Sequence, residues 1–397
     1  MRRSATEQVK QVVMTAKAYI TDIASFLPNA PVGNDAMENV LGMVAGRPSR
    51  SRKIVLRNNG IQSRHYAVDP VTGRHTHTNA QMAAEAVRAL AKRGGFDLNL
   101  LECLCAGTSS PDLAQPSHGH MVHGELAIPP CEVHTCAAVC TSSMSAMRYA
   151  MLNVRSGEVR HAISLGSEFL SRYMRGRNFQ PEIESQLAEI ERRPELSFEK
   201  DFLRWMLSDG AGAALIQPQP NPDRLSLRID WIDIVSLAGD MPVCMYCGGN
   251  RYPDGSMQYW HEVEDPLDIV RQGFFALKQD ARILNEHIVS ASVDRALLPI
   301  ARKRGLKPDD ITWFLPHYSS EYFRERLHDR MVQQGFDIPL DRWFTNLTRV
   351  GNVGAASIYL ILEELLYSGR LRRGDRLLCH VPESGRFSFC YMQLTVE

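Results

Sequence analysis

Cys140-Thr141-Ser142-Ser143-Met144-Ser145 and Asn352-Val353-Gly354-Ala355-Ala356-Ser357 are two copies of one pattern, and together they decide the fold. Each copy has a serine five residues after its first member and a Ser-Gly pair at sixteen and seventeen residues, Ser156-Gly157 in one and Ser368-Gly369 in the other. A short β-type stretch leads into each, Glu132 to Thr135 and Arg342 to Thr345. An apolar-rich helix follows, then the Ser-Gly stop and a second strand. The chain therefore reads as duplicated. Its two βαβ-like halves present different side chains at matching helix starts, a nucleophile in one and a hydrogen-bond donor in the other.

With 397 residues, the chain is long enough for two large domains or for two halves sharing one core. Lys+Arg and Asp+Glu are both 45, so the formal net charge is zero and nothing demands nucleic acid or an anionic membrane as partner. No run of about eighteen apolar residues marks a transmembrane helix. Residues 1–16 carry Arg2 and Arg3 without a continuous apolar stretch, so they read as an amphipathic extension and not a secretory signal, which points to the cytoplasm. Nine cysteines, several inside apolar segments such as Cys103, Cys105 and Cys379, fit reduced thiols better than a disulfide framework.

Strand and helix patterns alternate along the whole chain. Strands are expected at 18–26, 100–105, 161–167 and 311–315, and helices at 79–92, 268–285, 292–304 and 320–334. This alternation predicts an α/β fold with mainly parallel central strands in layers. Prolines 218, 220 and 222 mark the boundary between an N-terminal half, residues 17–219, and a C-terminal half, residues 220–397. A charged stretch at 171–204, richest in Glu and Arg from Glu182 to Glu195, reads as an insertion, either a solvated helix face or a lid or dimer-contact element.

Cys140 is the candidate nucleophile. At a helix N-terminus it would feel the positive end of the aligned peptide dipoles, which favours thiolate over thiol and suits thioester chemistry. Cys131 and Cys136 compete, but Cys136 falls where the preceding strand should still be running. The seventeen-residue span shared with Asn352 favours Cys140. His317 follows Trp313-Phe314-Leu315-Pro316 and should emerge from the end of a buried strand, where ligands of open α/β sheets bind.

Gly351-Asn352-Val353-Gly354-Ala355-Ala356-Ser357, Pro316-His317 and Cys140, with Gly60-Ile61, Arg64, an Asp209-Gly210-Ala211-Gly212 turn and Gly385, make the chain resemble the β-ketoacyl-acyl-carrier-protein synthase III family from about Ala18 to the C-terminus. The resemblance implies a thiolase-like fold, two duplicated halves in an α-β-α-β-α arrangement. It also implies a ping-pong condensing reaction: Cys140 takes an acyl group, and a malonyl or β-ketoacyl thioester, held by His317 and Asn352, decarboxylates and attacks it. The amides of Cys140 and Gly385 would form the oxyanion hole. The substrates would ride on CoA or on the phosphopantetheine of an acyl carrier protein, with no further cofactor, and the assembly would be a homodimer.

The chain departs from that family pattern at Glu383-Ser384-Gly385-Arg386-Phe387, which keeps only the central glycine of a glycine-rich turn, and near Ile54 and Asn58, where an adenine-stacking tryptophan and an arginine are expected. These departures point to a specialised-metabolism branch and leave a carrier-bound donor open beside CoA. Basic residues Arg172, Arg175, Arg302 and Arg304 are nominated as a landing surface for an acidic carrier protein. Two other functions stay open: acyl transfer to an oxygen or nitrogen nucleophile without condensation, and a non-catalytic role as a heterodimer partner. Cys244 with Cys247, and the group His118, His120 and His123, have partial metal-site spacing, but no second ligand pair accompanies either, so no metal is expected.

Overall fold

The computed structural model describes residues 16–181, 202–252 and 254–397. Most of the 171–204 stretch, including Glu182 to Glu195, lies outside the described residues, as does nearly all of the N-terminal extension. Nine strands form the main sheet: β1 Tyr19–Phe26, β2 Cys103–Thr108, β3 Glu132–Ala137, β4 Ala162–Glu168, β5 Gly210–Gln217, β6 Leu227–Ser236, β7 Trp313–Pro316, β8 Arg376–Glu383 and β9 Ser388–Val396. Their order across the sheet is β7-β8-β9-β6-β1-β5-β4-β2-β3.

The duplication is explicit in that order. From β1 outward, β5 and β4 are antiparallel, then β4–β2 and β2–β3 are parallel. From β6 outward, β9 and β8 are antiparallel, then β8–β7 is parallel. The last position of the second series is the stretch expected as a strand at Arg342 to Thr345. It is reduced to one parallel bridge, Phe314 to Trp343, because a 3₁₀ turn over Leu340–Arg342 occupies its start. The two series meet where β1 and β6 pair at Tyr19–Arg228 and Ile20–Leu227.

Seven helices build the layers: α1 Asn79–Gly94, α2 His118–Leu126, α3 Ser142–Ser156, α4 Ala281–Ser290, α5 Leu298–Arg304, α6 Tyr322–Gln333 and α7 Ser357–Tyr367. Helices α3 and α7 are the two copies read from the sequence. Both end where expected, because Gly157 (φ 82°) and Gly369 (φ 75°) take the left-handed conformation that stops a helix at little cost. They fill the middle layer. Met144, Met147 and Met151 of α3 pack with Ile358, Leu362 and Leu365 of α7, between Cys105 and Ile216 from one half-sheet and Ile232 and Met392 from the other. Helix α1 covers the outer face of the first half-sheet through Met82, Val87 and Leu90. Helices α4 to α6 cover the second through Ile288, Ile300 and Leu327. Five layers result, α-β-α-β-α.

The close approach of the middle helices needs glycine at particular strand positions. An added Cβ at Gly166 would lie 2.3 Å from the Ala355 carbonyl oxygen, and one at Gly212 would lie 2.3 Å from Tyr359 Cβ. The Asp209–Gly212 segment is accordingly not a turn. It runs into β5, where Gly212 makes room for α7. Gly166→Ala pushes backbone against backbone and is expected to cost about 3 kcal/mol of stability by overpacking, read as a lower midpoint in chemical denaturation.

Two helix boundaries differ from the sequence reading. The helix expected at 268–285 breaks after Pro266–Arg271, where Gly273 turns left-handed (φ 63°) and Lys278–Gln279 forms a short strand against Met245–Tyr246. Asp280 then caps a new start by accepting from the Ile283 amide at 2.9 Å. The helix expected at 292–304 begins instead at Ala281 and runs unbroken to Arg304 through a π-helical stretch, Ala291–Leu297. Pro299 has no amide hydrogen to continue the regular ladder, and the wider turn before it absorbs the missing bond.

Candidate active site

Cys140 lies between the end of β3 and the first residue of α3, with Thr141 at the N-cap. His317 directly follows β7, and its amide donates to the His380 carbonyl on β8 at 2.8 Å. Asn352 sits just before α7, held by two backbone bonds to the 206–208 segment, its amide to Met206 O and its carbonyl from the Ser208 amide, each 2.9 Å. All three residues line one cavity of about 480 Å³. The rest of its wall is largely apolar, including Leu170, Met206, Leu284, Ile288, Phe323 and Leu327. Among the described residues no Lys, Arg, Asp or Glu lines it.

The two donors are prepared in different ways. Burial pushes the His317 imidazole down to about 4, so at neutral pH it is uncharged and has one N–H to offer. The Asn352 side-chain carbonyl accepts from the Gly354 amide at 2.9 Å. This fixes which end of the amide is spent and leaves Nδ2 as the donor. Gly351 and Gly354, at φ 74° and 51°, allow the tight path that makes this bond.

Cys140 departs from expectation. It keeps some surface in the cavity, yet its thiol is raised well above the ordinary cysteine value by burial, with Glu383 and Glu168 adding to the shift. Burial first, and the two carboxylates after it, thus oppose the helix dipole that was expected to favour the thiolate. The loop just ahead of α3 is held by a carboxylate: Glu383 accepts from the Val139 amide at 3.1 Å, from the Thr141 amide at 3.2 Å and from the Thr141 hydroxyl.

The sequence reading missed both carboxylates. Glu168 ends β4 and is buried, accepting from the Ser109 amide (3.1 Å), the Ser109 and Ser110 hydroxyls (2.8 and 2.5 Å) and the Ala355 amide (3.2 Å). Burial lifts it to about 7. It ties the nucleophile half to the Asn352 loop, and Ser143 reinforces the tie with a 2.6 Å bond to the Ala355 carbonyl. The signal available was a lone acid at the end of an apolar strand, Glu168 after Ala162–Ser167 and Glu383 after Leu377–Pro382.

Gly385 lies in the turn between β8 and β9, where an added Cβ would be 3.1 Å from Val139, so this turn packs directly on the Cys140 loop. The nominated basic residues are mostly engaged inside the chain. Arg175 is buried and donates to Gly73 O at 3.0 Å, Arg172 donates to Pro111 O at 2.6 Å, and Arg304 is paired to Asp233 at 2.7 Å. Arg302 is exposed. His118 is buried against Ser167 Oγ at 2.8 Å, whereas His120 and His123 bond to Ser117 and Pro129. Among the described residues no group of three His, Cys, Asp or Glu is placed to hold a metal ion. No helix among them is long and apolar enough to cross a membrane.

The C-terminal profile of the 3-oxoacyl-[acyl-carrier-protein] synthase III family matches residues 301–384, which carry His317 and Asn352. A β-ketoacyl-[acyl-carrier-protein] synthase III from Sphingopyxis alaskensis is 24% identical over 372 residues, 94% of this chain and 97% of its own. The chain is similar to synthase III enzymes over almost its whole length and has the thiolase-like fold. The enzyme of the same name from Chlamydia pneumoniae is 23% identical over 362 residues, 91% of this chain and 92% of its own. Among solved structures, the tetronic acid condensing enzyme AbyA1 superposes with a TM-score of 0.71 at 19% identity, covering 95% of this chain and 99% of its own. Xanthomonas campestris OleA with bound lauric acid and lauroyl-CoA gives 0.69 at 16% identity, covering 96% and 99%. The synthase III-like architecture thus extends over almost the whole chain.

Proposed function

We propose that this protein is a condensing enzyme that carries an acyl group on Cys140 and joins it to a malonyl thioester with loss of carbon dioxide. The observation that carries this reading is the convergence of Cys140, His317 and Asn352 on one apolar cavity. The sulfur exchanges one thioester for another, so the acyl group moves with little thermodynamic loss and the first carrier leaves as a thiol. The cavity then admits the malonyl thioester. Its carbonyl oxygen takes the His317 N–H and the Asn352 Nδ2–H, donors placed where the enolate charge develops. The malonyl carboxylate meets no cation among the described residues of the cavity wall, which favours its departure as neutral carbon dioxide. The enolate carbon attacks the acyl-cysteine carbonyl and the sulfur leaves.

The apolar walls suit an aliphatic or aromatic acyl chain. The donor is carried on CoA or on an acyl carrier protein, as the synthase III relatives imply, and a dimer is the expected assembly. The backbone amides of Cys140 and Gly385 form the oxyanion hole in this scheme. The test is intact-protein mass spectrometry after incubation with a panel of acyl-CoA and acyl-carrier thioesters. Loading should appear as one acyl mass on the Cys140 peptide. A protein that stays unmodified across the panel would remove the proposal, and carbon dioxide release separates condensation from simple acyl transfer to another acceptor.

A further inference from the structure

The loop that holds Cys140 is bound on both sides of the cysteine by one carboxylate. Glu383, the last residue of β8, is buried and reaches the Val139 amide at 3.1 Å and the Thr141 amide at 3.2 Å, and it also accepts from the Thr141 hydroxyl. These amides stand just ahead of a fifteen-residue helix, where an anion is most stabilised. We propose that Glu383 is a positioning residue for the nucleophile: its carboxylate fills the anion cradle around Cys140, denies it to the sulfur, and keeps the sulfur a thiol between turnovers.

Three observations support this. The cradle is satisfied from within the chain, by a residue 242 positions away, so it belongs to the folded state and not to the local sequence. The carboxylate bridges the residues immediately before and after the cysteine, close enough for its charge to act on the sulfur. The adjoining turn is fixed as well: the Gly385 carbonyl accepts from the Cys244 amide at 2.9 Å, and Arg386 is directed to the Met241 carbonyl at 3.1 Å, away from Glu383. Other titratable groups near the sulfur or on its cavity include Glu168 at the end of β4, His317 after β7, His380 on β8, Cys136 on β3, Cys247 and His118. Glu168 acts in the same direction as Glu383, the His317 and His380 imidazoles are held neutral by burial, and the Cys136 thiol is raised by burial. Among the described residues no cation lines the cavity beside the sulfur, and burial raises both carboxyls as well, Glu168 to about 7, so Glu383 is the main charge acting on the sulfur at neutral pH.

The inference deepens the reading of Cys140 as the acyl acceptor, and it is tested without any acyl donor. The full chain is alkylated with iodoacetamide from about pH 6 to about pH 10 and the Cys140 peptide is quantified, because only the thiolate reacts. The wild-type midpoint should lie above that of free cysteine. Glu383→Gln keeps an oxygen for the two amides while losing the charge. It should label Cys140 about tenfold faster at neutral pH, a midpoint about one pH unit lower. Glu383→Asp, which keeps the charge, should follow the wild type. A wild-type midpoint at or below about 8 would overturn the inference even if the variants failed to fold. So would a folded Glu383→Gln protein that labels no faster than wild type. An inert acyl-donor panel would defeat the proposed function and leave these results readable.

Discussion

Cys140→Ala is expected to abolish covalent acyl loading and to lower condensation by on the order of 10⁴-fold or more, since removing a nucleophile removes the intermediate itself. The substitution should leave the fold intact. Cys140 precedes the first turn of α3, and the bonds that organise its loop come from Glu383 to the neighbouring amides and from Ser142 Oγ to the Val139 carbonyl at 2.8 Å. The sharpest alternative lies in the same cavity, where Cys136 and Cys247 are also exposed to a bound thioester. Both thiols are raised by burial. An acyl mass that persists in Cys140→Ala and maps to either of them would reassign the nucleophile, and unchanged turnover would end the covalent scheme.

His317→Ala and Asn352→Ala should separate the two half-reactions. Neither side chain is needed to exchange one thioester for another on the sulfur, so loading should survive at close to the wild-type extent. Condensation should fall about 10²- to 10³-fold in each, the usual loss when one donor to a developing oxyanion is removed. The double variant should lose less than the product of the two, because both donors act on a single oxygen. His317 is the cleaner case: already neutral at pH 7, it should give the same loss from about pH 6 to about pH 8, with no limb in the rate profile from its own titration. Equal losses of loading and condensation would show that these residues shape the cavity without acting on the enolate.

How far the sequence carried this account depended on where each determinant lies along the chain. The duplicated helices were legible because their stop signals are local, a glycine seventeen residues after Cys140 and again after Asn352, and each takes the left-handed conformation in the structure. His317 was legible because a proline and an apolar strand precede it. The upward push on the Cys140 thiol was not, because it comes first from burial in the folded chain and then from Glu383 and Glu168, which end strands outside the Cys140 loop. A helix N-terminus predicts a site that favours an anion but cannot say what lies beside it, and here a carboxylate holds the amides just ahead of α3. The helix through Pro299 shows the same limit, since a proline reads as a start signal locally while a π turn lets the helix run on. Arg175 likewise reads as a surface charge and is buried, its guanidinium held by a backbone carbonyl.

The central claim is that one sulfur and two donors act in sequence on thioesters in one cavity. A single-turnover experiment tests it most directly: Cys140 is loaded with an acyl group, a malonyl thioester labelled at its free carboxyl carbon is added, and adduct mass and released label are followed together. The acyl mass should disappear at the rate at which labelled carbon dioxide appears, with one β-ketoacyl thioester formed per adduct lost. Loss of the adduct without release of the label would contradict the claim.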